Sequence, residues 1–250
     1  LSLLGTVPTS EKAKMWAGRN DHLGKIRRIL RRWQRRRTSE INVLFADFGQ
    51  GKSHTLLHMS NEVNTSNGRN LVHYSQLPPL TTGSPFVALY RQIMQEFPLD
   101  ILSAEVFEKF RAAPMAIFNE PHPLRRTIFQ LLWIIATHSN GDESARRWLR
   151  GESVYAQDLR SIQIGGQDIH LPASPTKTQD CQNVLSELIE IAINFPKSSS
   201  GTCVFLIDEF QRVGELPPRK RFEVCNAIHL IFNAHPENLR FVLAFAGGLT

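Results

Sequence analysis

The chain has 250 residues and a mass of 28.4 kDa, 42% hydrophobic and 21% charged; this excludes a disordered, collagenous or coiled-coil protein and suits one large domain with an insertion, or two small ones. Lys and Arg number 29 against 23 Asp and Glu, a formal charge of +6 with a sequence pI near 9.5, so where the excess sits matters. Cys181, Cys203 and Cys225 lie far apart with no Cys-x-x-Cys pair, which excludes a closed disulfide set or a cysteine zinc cage and points to a reducing compartment.

Residues 1–15 read as a polar lead-in containing Pro8. From Asp21 to about Arg37, Leu23, Ile26, Ile29, Leu30 and Trp33 recur at three- and four-residue steps, which predicts a helix with one buried stripe. Ile41 to Ala46 is a short β-prone run, followed by Gly49, Gly51 and a predicted helix over Lys52 to Val63. Leu71 to Tyr74 reads as a second strand, and residues 85–97, with Pro85 at the start, as the next helix. Between about Leu99 and Pro196 the alternation lapses into helical segments, strongly apolar over Phe129 to Ala136 and ending once at Gly151. A possible hairpin, Ser161 to Ile164 turning at Gly165-Gly166 into Gln167 to Leu171, interrupts them. Alternation resumes with a helix over Gln182 to Asn194, then Thr202 to Ile207, a continuous apolar run of the kind buried on both faces of a parallel sheet. Glu223 to Asn233 reads as a helix and Phe241 to Ala246 as a fourth strand. The expected fold class is α/β, a parallel sheet flanked by helices, with residues 99–180 a mainly helical insertion between core segments 1–98 and 181–250. The start at Leu1 rather than Met, and the stop just after a strand-like run, are what part of a longer chain would show.

The most informative residues are Ala46-Asp47-Phe48-Gly49-Gln50-Gly51-Lys52-Ser53-His54, framed by a predicted strand and a predicted helix. In the P-loop pattern G-x-x-x-x-G-K-[ST], glycines let the backbone curl so that N–H groups face phosphate oxygens, and the helix adds its positive N-terminal end. Lys52 would then bridge the β- and γ-phosphates of ATP, and the Ser53 hydroxyl would ligate Mg²⁺. Ala46 replaces the first glycine, so the backbone must keep a negative φ there, while Gly49 still supplies freedom inside the loop. The competing reading is a glycine-rich turn capped by Ser53.

A second element is Val204-Phe205-Leu206-Ile207-Asp208-Glu209. A carboxylate at the carboxyl end of a buried parallel strand lies at the crevice where α/β folds bind ligands. Asp208 would hold Mg²⁺, and Glu209 would act as general base on the attacking water. The alternative for this pair is a helix N-cap with a first-turn acid.

Together these residues resemble P-loop NTPases of the AAA+ superfamily and its STAND-like relatives, an AAA+/ASCE-like fold. Trp16-Ala17-Gly18-Arg19-Asn20-Asp21 looks like the box that precedes the P-loop in initiator-type members and packs near the adenine, which adds Gly18 and Arg19 to the nucleotide contacts. The Asp-Glu dyad is similar to the branch in which an extra strand separates the P-loop strand from the acidic strand, and Phe241 to Ala246 would be that strand. More narrowly, Gly49 to His54, Arg147-Trp148-Leu149-Arg150-Gly151-Glu152 and Ile207-Asp208-Glu209-Phe210 look like bacterial ATP-binding proteins of the BREX phage-defence type. The resemblance implies an oligomer or a subunit of a larger assembly, with ATP and Mg²⁺ as ligands and the helical lid beyond residue 250. The polar sensor of such proteins has only Thr250 as a counterpart, slightly late, which implies slow hydrolysis. Arg219, Arg221 and Arg240 are candidates by location for an arginine finger.

Lys25, Arg27, Arg28, Arg31, Arg32, Arg35, Arg36 and Arg37 form a basic run without an acid. A solvated helix face is one reading. Double-stranded DNA is the other, because like charges at i, i+4 repel and a structural face would interleave Glu. Without these eight, 21 bases face 23 acids. The histidines show no metal spacing, and Pro217 to Arg221 reads as an exposed loop. Trp133, Trp148 and Phe129 read as insertion core. The longest nearly apolar stretch, Ile128 to Ala136, is well short of the roughly 20 residues of a spanning helix, so a cytoplasmic protein without membrane contact is expected. Three functions compete: a Mg²⁺-dependent ATPase acting on DNA in a larger assembly, a STAND-like nucleotide switch with little turnover, and a small-molecule kinase. The kinase is disfavoured because a Glu after the metal-site Asp favours attack by water.

Overall fold

The computed structural model describes residues 20–47, 49–65, 70–79, 83–139, 141–154, 162–194 and 201–247. Helix α1 (Asn20–Arg35) is followed by β1 (Glu40–Ala46), α2 (Lys52–Thr65), β2 (Asn70–Gln76) and α3 (Pro85–Glu96). Then come α4 (Leu99–Phe110), a 3-10 turn over Pro114–Asn119, α5 (Pro123–Thr137), α6 (Asp142–Leu149) and a small antiparallel hairpin, β3 (Gln163–Ile164) with β4 (Gln167–Asp168). The chain closes with α7 (Thr178–Asn194), β5 (Thr202–Asp208), the short α8 (Gln211–Gly214), α9 (Pro218–Ala234) and β6 (Leu239–Ala246).

The main sheet has four parallel strands in the order β1-β6-β5-β2. The strand expected between the glycine-loop strand and the acidic strand is therefore β6. In a parallel sheet all carboxyl ends lie along one edge; Ala46 is level with Ala246 and Gln76 with Asp208, and because Ile207 pairs with Leu243 the ends of β1 and β6 reach two residues beyond those of β5 and β2.

Strand parity sorts the side chains between two layers. Val204 and Leu206 of β5, with Val242 and Ala244 of β6, face α1 and α2, where they meet Ile26, Leu30, Trp33, Leu56, Met59 and Val63. Their neighbours Cys203, Phe205, Ile207, Phe241 and Leu243 face the other way, into a larger core shared with α3, α7 and α9. The central strands are thus buried on both faces, as the apolar run predicts. Strand β1 forms one edge of the sheet, and its outward residues Ile41, Val43 and Phe45 remain exposed.

That larger core continues without a break into α4, α5 and α6, whose Trp133, Trp148 and Phe129 are buried as expected. The phrase Arg147 to Glu152 has a structural role here. Trp148 Nε1 donates to Pro172 O at 2.8 Å, Tyr90 of α3 donates to Leu149 O, and Arg91 donates to Gly151 O at 3.0 Å. Gly151 stands at φ +70°, and a Cβ there would lie 2.3 Å from Pro175 O, so only glycine closes α6 against that segment.

Three expectations are corrected. Helix α1 stops at Arg35, short of the expected end at about Arg37; the carbonyls of Arg36 (2.5 Å) and Arg37 (3.4 Å), which follow it, accept from the buried Arg240 guanidinium. Pro217 to Arg221 is not a loop: Pro218 opens α9 at the first helical position, where its missing N–H costs nothing. Arg240 is fully buried at the start of β6, away from the carboxyl edge, and cannot serve as a finger for a neighbour.

Candidate functional site

The loop after β1 curls through two glycines. Gly49 and Gly51 hold φ +75° and +80°, with nothing within 4 Å of a virtual Cβ, so backbone conformation rather than crowding requires glycine at both. Ala46 is absent from the positive-φ residues, as its side chain demands. Gln50 N donates to Asp47 O at 3.3 Å, and Lys52 Nζ reaches back to the same carbonyl at 2.9 Å, closing the loop on itself. Lys52 is only 7% exposed, although Asp47, Gly49, Gln50 and Gly51 around it are open. Helix α2 starts at Lys52, so its first N–H groups, which have no intrahelical acceptors, face the loop.

Parity along β5 decides what meets this loop. Asp208 follows Val204 and Leu206 at two-residue steps and therefore points to the α2 side, as Tyr74 of β2 does after Val72. Ser53 Oγ, in the first turn of α2, donates to Asp208 Oδ2 at 2.5 Å across 155 residues of sequence. Tyr74 Oη donates to the same oxygen at 3.2 Å, and Asp208 Oδ1 accepts from Glu209 N at 2.9 Å. Asp208 is fully buried, so these three donors satisfy a carboxylate that water does not reach. Burial, with the Asp208 charge adding to it, pushes the Tyr74 hydroxyl well above its ordinary pKa, and it stays a donor.

Glu209 leaves the strand at φ +59°, an uncommon conformation for a side-chain-bearing residue that costs on the order of 1 kcal/mol or more. Its Oε2 accepts from Gln211 Nε2 at 2.8 Å and lies 3.5 Å from the Arg212 guanidinium, which also donates to Leu77 O. The helix-cap alternative for the acidic pair does not hold: the N-cap of α8 is Phe210, with no side-chain cap bond. Nor is Ser53 simply a turn cap, since its hydroxyl donates to Asp208.

The structure thus brings together Gly49, Gln50, Gly51, Lys52, Ser53, Asp47, Asp208 and Glu209. His54 sits half-buried in the first turn of α2, its ring parallel to that of His58 at 6.5 Å. Gly18, Arg19, Phe48 and Thr250 lie outside the described residues. Tyr74, Gln211 and Arg212 escaped the sequence reading. The signals were a phenol in phase with the acidic strand's inward face, and two polar residues that follow the acidic pair after Phe210. No protein-family model, curated protein or solved structure matches this chain.

The donor set could hold phosphate oxygens and a hard divalent cation. A loop of open amides with a buried cation at its end can hold phosphate oxygens, and a hydroxyl beside a buried carboxylate offers the oxygen ligands that Mg²⁺ prefers. Among the described residues no group of three His, Cys, Asp or Glu forms a metal cluster, and no helix is long and apolar enough to cross a membrane.

Helix α1 presents Arg27, Arg28, Arg31 and Arg35 to solvent, opposite its buried stripe of Ile26, Leu30 and Trp33. Arg32 is engaged instead with Glu40 at 2.6 Å and Asn42 at 3.1 Å on β1. Arg36 and Arg37 are exposed just past the helix end.

Proposed function

We propose that this chain is a P-loop NTPase of the AAA+-like kind, a Mg²⁺-dependent module that binds and hydrolyses ATP and couples nucleotide state to rearrangement in a larger DNA-acting assembly. The observation that carries the reading is the Ser53–Asp208 hydrogen bond, which joins the head of the glycine-loop helix to the carboxyl end of a central strand. Two motifs far apart in sequence meet where nucleotide chemistry needs them.

In this reading the loop from Asp47 to Lys52 holds the phosphates. The Lys52 ammonium exchanges the Asp47 carbonyl for phosphate oxygens, placing positive charge where negative charge develops. Ser53 and Asp208 hold Mg²⁺, which when bound neutralises phosphate charge. Glu209 takes the proton of the attacking water. Lys52→Ala is expected to abolish ATP binding in a filter or fluorescence titration while the protein stays folded; unchanged affinity would sink the proposal.

A nucleotide switch with negligible turnover is the second reading. It is favoured by one feature: β6 ends at Ala246 and Gly247 follows, so among the described residues its end brings no polar side chain to the attacking water. Steady-state phosphate release, with and without double-stranded DNA, separates the two. DNA-stimulated release that disappears in Glu209→Gln supports hydrolysis, and tight ATP binding without release supports the switch.

A further inference from the structure

Gln211 uses both ends of its carboxamide. Its Oε1 accepts from the backbone N–H of Ala246, at the end of β6, at 2.9 Å, and its Nε2 donates to Glu209 Oε2 at 2.8 Å. A backbone N–H can only donate, so the amide has one possible orientation: oxygen toward Ala246, nitrogen toward Glu209. Arg212 approaches the same Oε2. Among the described residues no hydrogen bond falls on the other oxygen, Oε1 of Glu209. The carboxylate is therefore gripped on one side and open on the other, at a residue whose left-handed backbone already fixes the direction its side chain leaves the strand.

We propose that Gln211 is the positioning residue of the general base: it fixes Glu209 through Oε2, presents Oε1 to the attacking water, and ties that orientation to the end of β6. This rests on the hydrolytic reading above. In the step it serves, the water oxygen bonds to the terminal phosphorus as its proton passes to Glu209 Oε1. The bond from that phosphorus to the bridging oxygen breaks, and its electron pair leaves on ADP. The proton then passes from Glu209 to the released phosphate or to solvent. Gln211 exchanges no proton. It sets the angle and distance of the group that does, and because its other end holds Ala246, a shift of β6 between β1 and β5 would move the base.

The test compares Gln211→Glu and Gln211→Met with the parent chain, measuring ATP affinity by fluorescence titration and phosphate release. The glutamate keeps length and the acceptor for Ala246 N–H, but loses the donor and sets a second carboxylate beside Glu209. The methionine keeps length and loses both bonds, and serves if the acidic variant does not fold. Both are expected to bind ATP within twofold of the parent. Their kcat is expected to fall roughly 10- to 100-fold, toward the lower part of what a positioned base contributes. A merely structural glutamine would lower ATP affinity along with kcat, so a fall in kcat at unchanged ATP affinity is the split that marks a positioning role. Unchanged kcat with ATP bound normally overturns the proposal alone. If the parent binds ATP but releases no phosphate, the positioning role falls and the nucleotide site stands; if the parent does not bind ATP, both fall.

Discussion

At the scale of single residues, the buried carboxylate of Asp208 organises the site, and its partners differ in what they can be spared for. Ser53 stands in the glycine-loop helix, whereas Tyr74 stands on β2, at the far edge of the sheet, and touches Asp208 only through its hydroxyl. Both hydroxyls meet the same oxygen, Oδ2, and Tyr74 also feels the Ser53 hydroxyl, so on the proposed function Tyr74 orients the carboxylate that would hold the cation. Removing such a hydrogen bond weakens metal binding by roughly 10- to 100-fold where it has been measured in other proteins. Tyr74→Phe is therefore expected to raise the Mg²⁺ concentration for half-maximal phosphate release about tenfold, with ATP affinity in the presence of EDTA unchanged. An unaltered Mg²⁺ titration would show that Ser53 and the Glu209 amide suffice to hold Asp208.

At the scale of elements, α1 divides into a stripe that holds the fold and a face that does not. Ile26, Leu30 and Trp33 enter the core, while Arg27, Arg28, Arg31 and Arg35 project outward. If the outer face meets DNA phosphates, each lost contact removes close to one unit from the slope of log affinity against log salt. Changing the four arginines to Gln is expected to flatten that slope by about three to four units with the melting temperature nearly unchanged, because the buried stripe is untouched. Equal slopes would return the run to a solvated face. The elements themselves were largely legible because their signals are local: the stripe of α1, the Gly49–Gly51 loop before α2, and the unbroken apolar run of β5. Element ends were less so. The carbonyl just past α1 is taken by Arg240, 204 residues on, and Pro218 starts α9 ahead of the expected start at Glu223. In the site, Lys52, Ser53, Asp208 and Glu209 were legible because each carries a spelling tied to a strand or helix end. Tyr74 and Gln211 were not, since a single hydroxyl or amide joins the site only through contacts across strands, to Asp208 of β5 for one and to Ala246 of β6 for the other.

At the scale of the whole molecule, stability should depend on pH through a group in the larger core. His73 of β2 is 1% exposed, lies beside the rings of Phe97 and Phe205 at 6.0 and 5.8 Å, and among the described residues has no hydrogen-bond partner on either ring nitrogen. Burial lowers its pKa from 6.5 to about 4; the Glu96 backbone, which pulls the other way, does not reach hydrogen-bond geometry and does not offset it. The imidazole is therefore neutral in the fold and takes up a proton more readily in the unfolded chain. Its contribution is fully present above pH 6.5, is lost as pH falls from 6.5 toward 4, and changes no further below that, where both states are protonated. At about 1.4 kcal/mol per pH unit, the loss between pH 7.5 and 4.5 amounts to about 2 to 3 kcal/mol. His235 is lowered as well, burial outweighing Glu190, and acts in the same direction. Urea unfolding at the two pH values should show a smaller acid loss for His73→Phe than for the parent, by about that amount, since the remaining groups are common to both. Parallel pH dependences would mean that the acid sensitivity of the fold lies elsewhere, and that the aromatic stack of Phe97, Phe205 and Phe241 tolerates a charged imidazole at its edge.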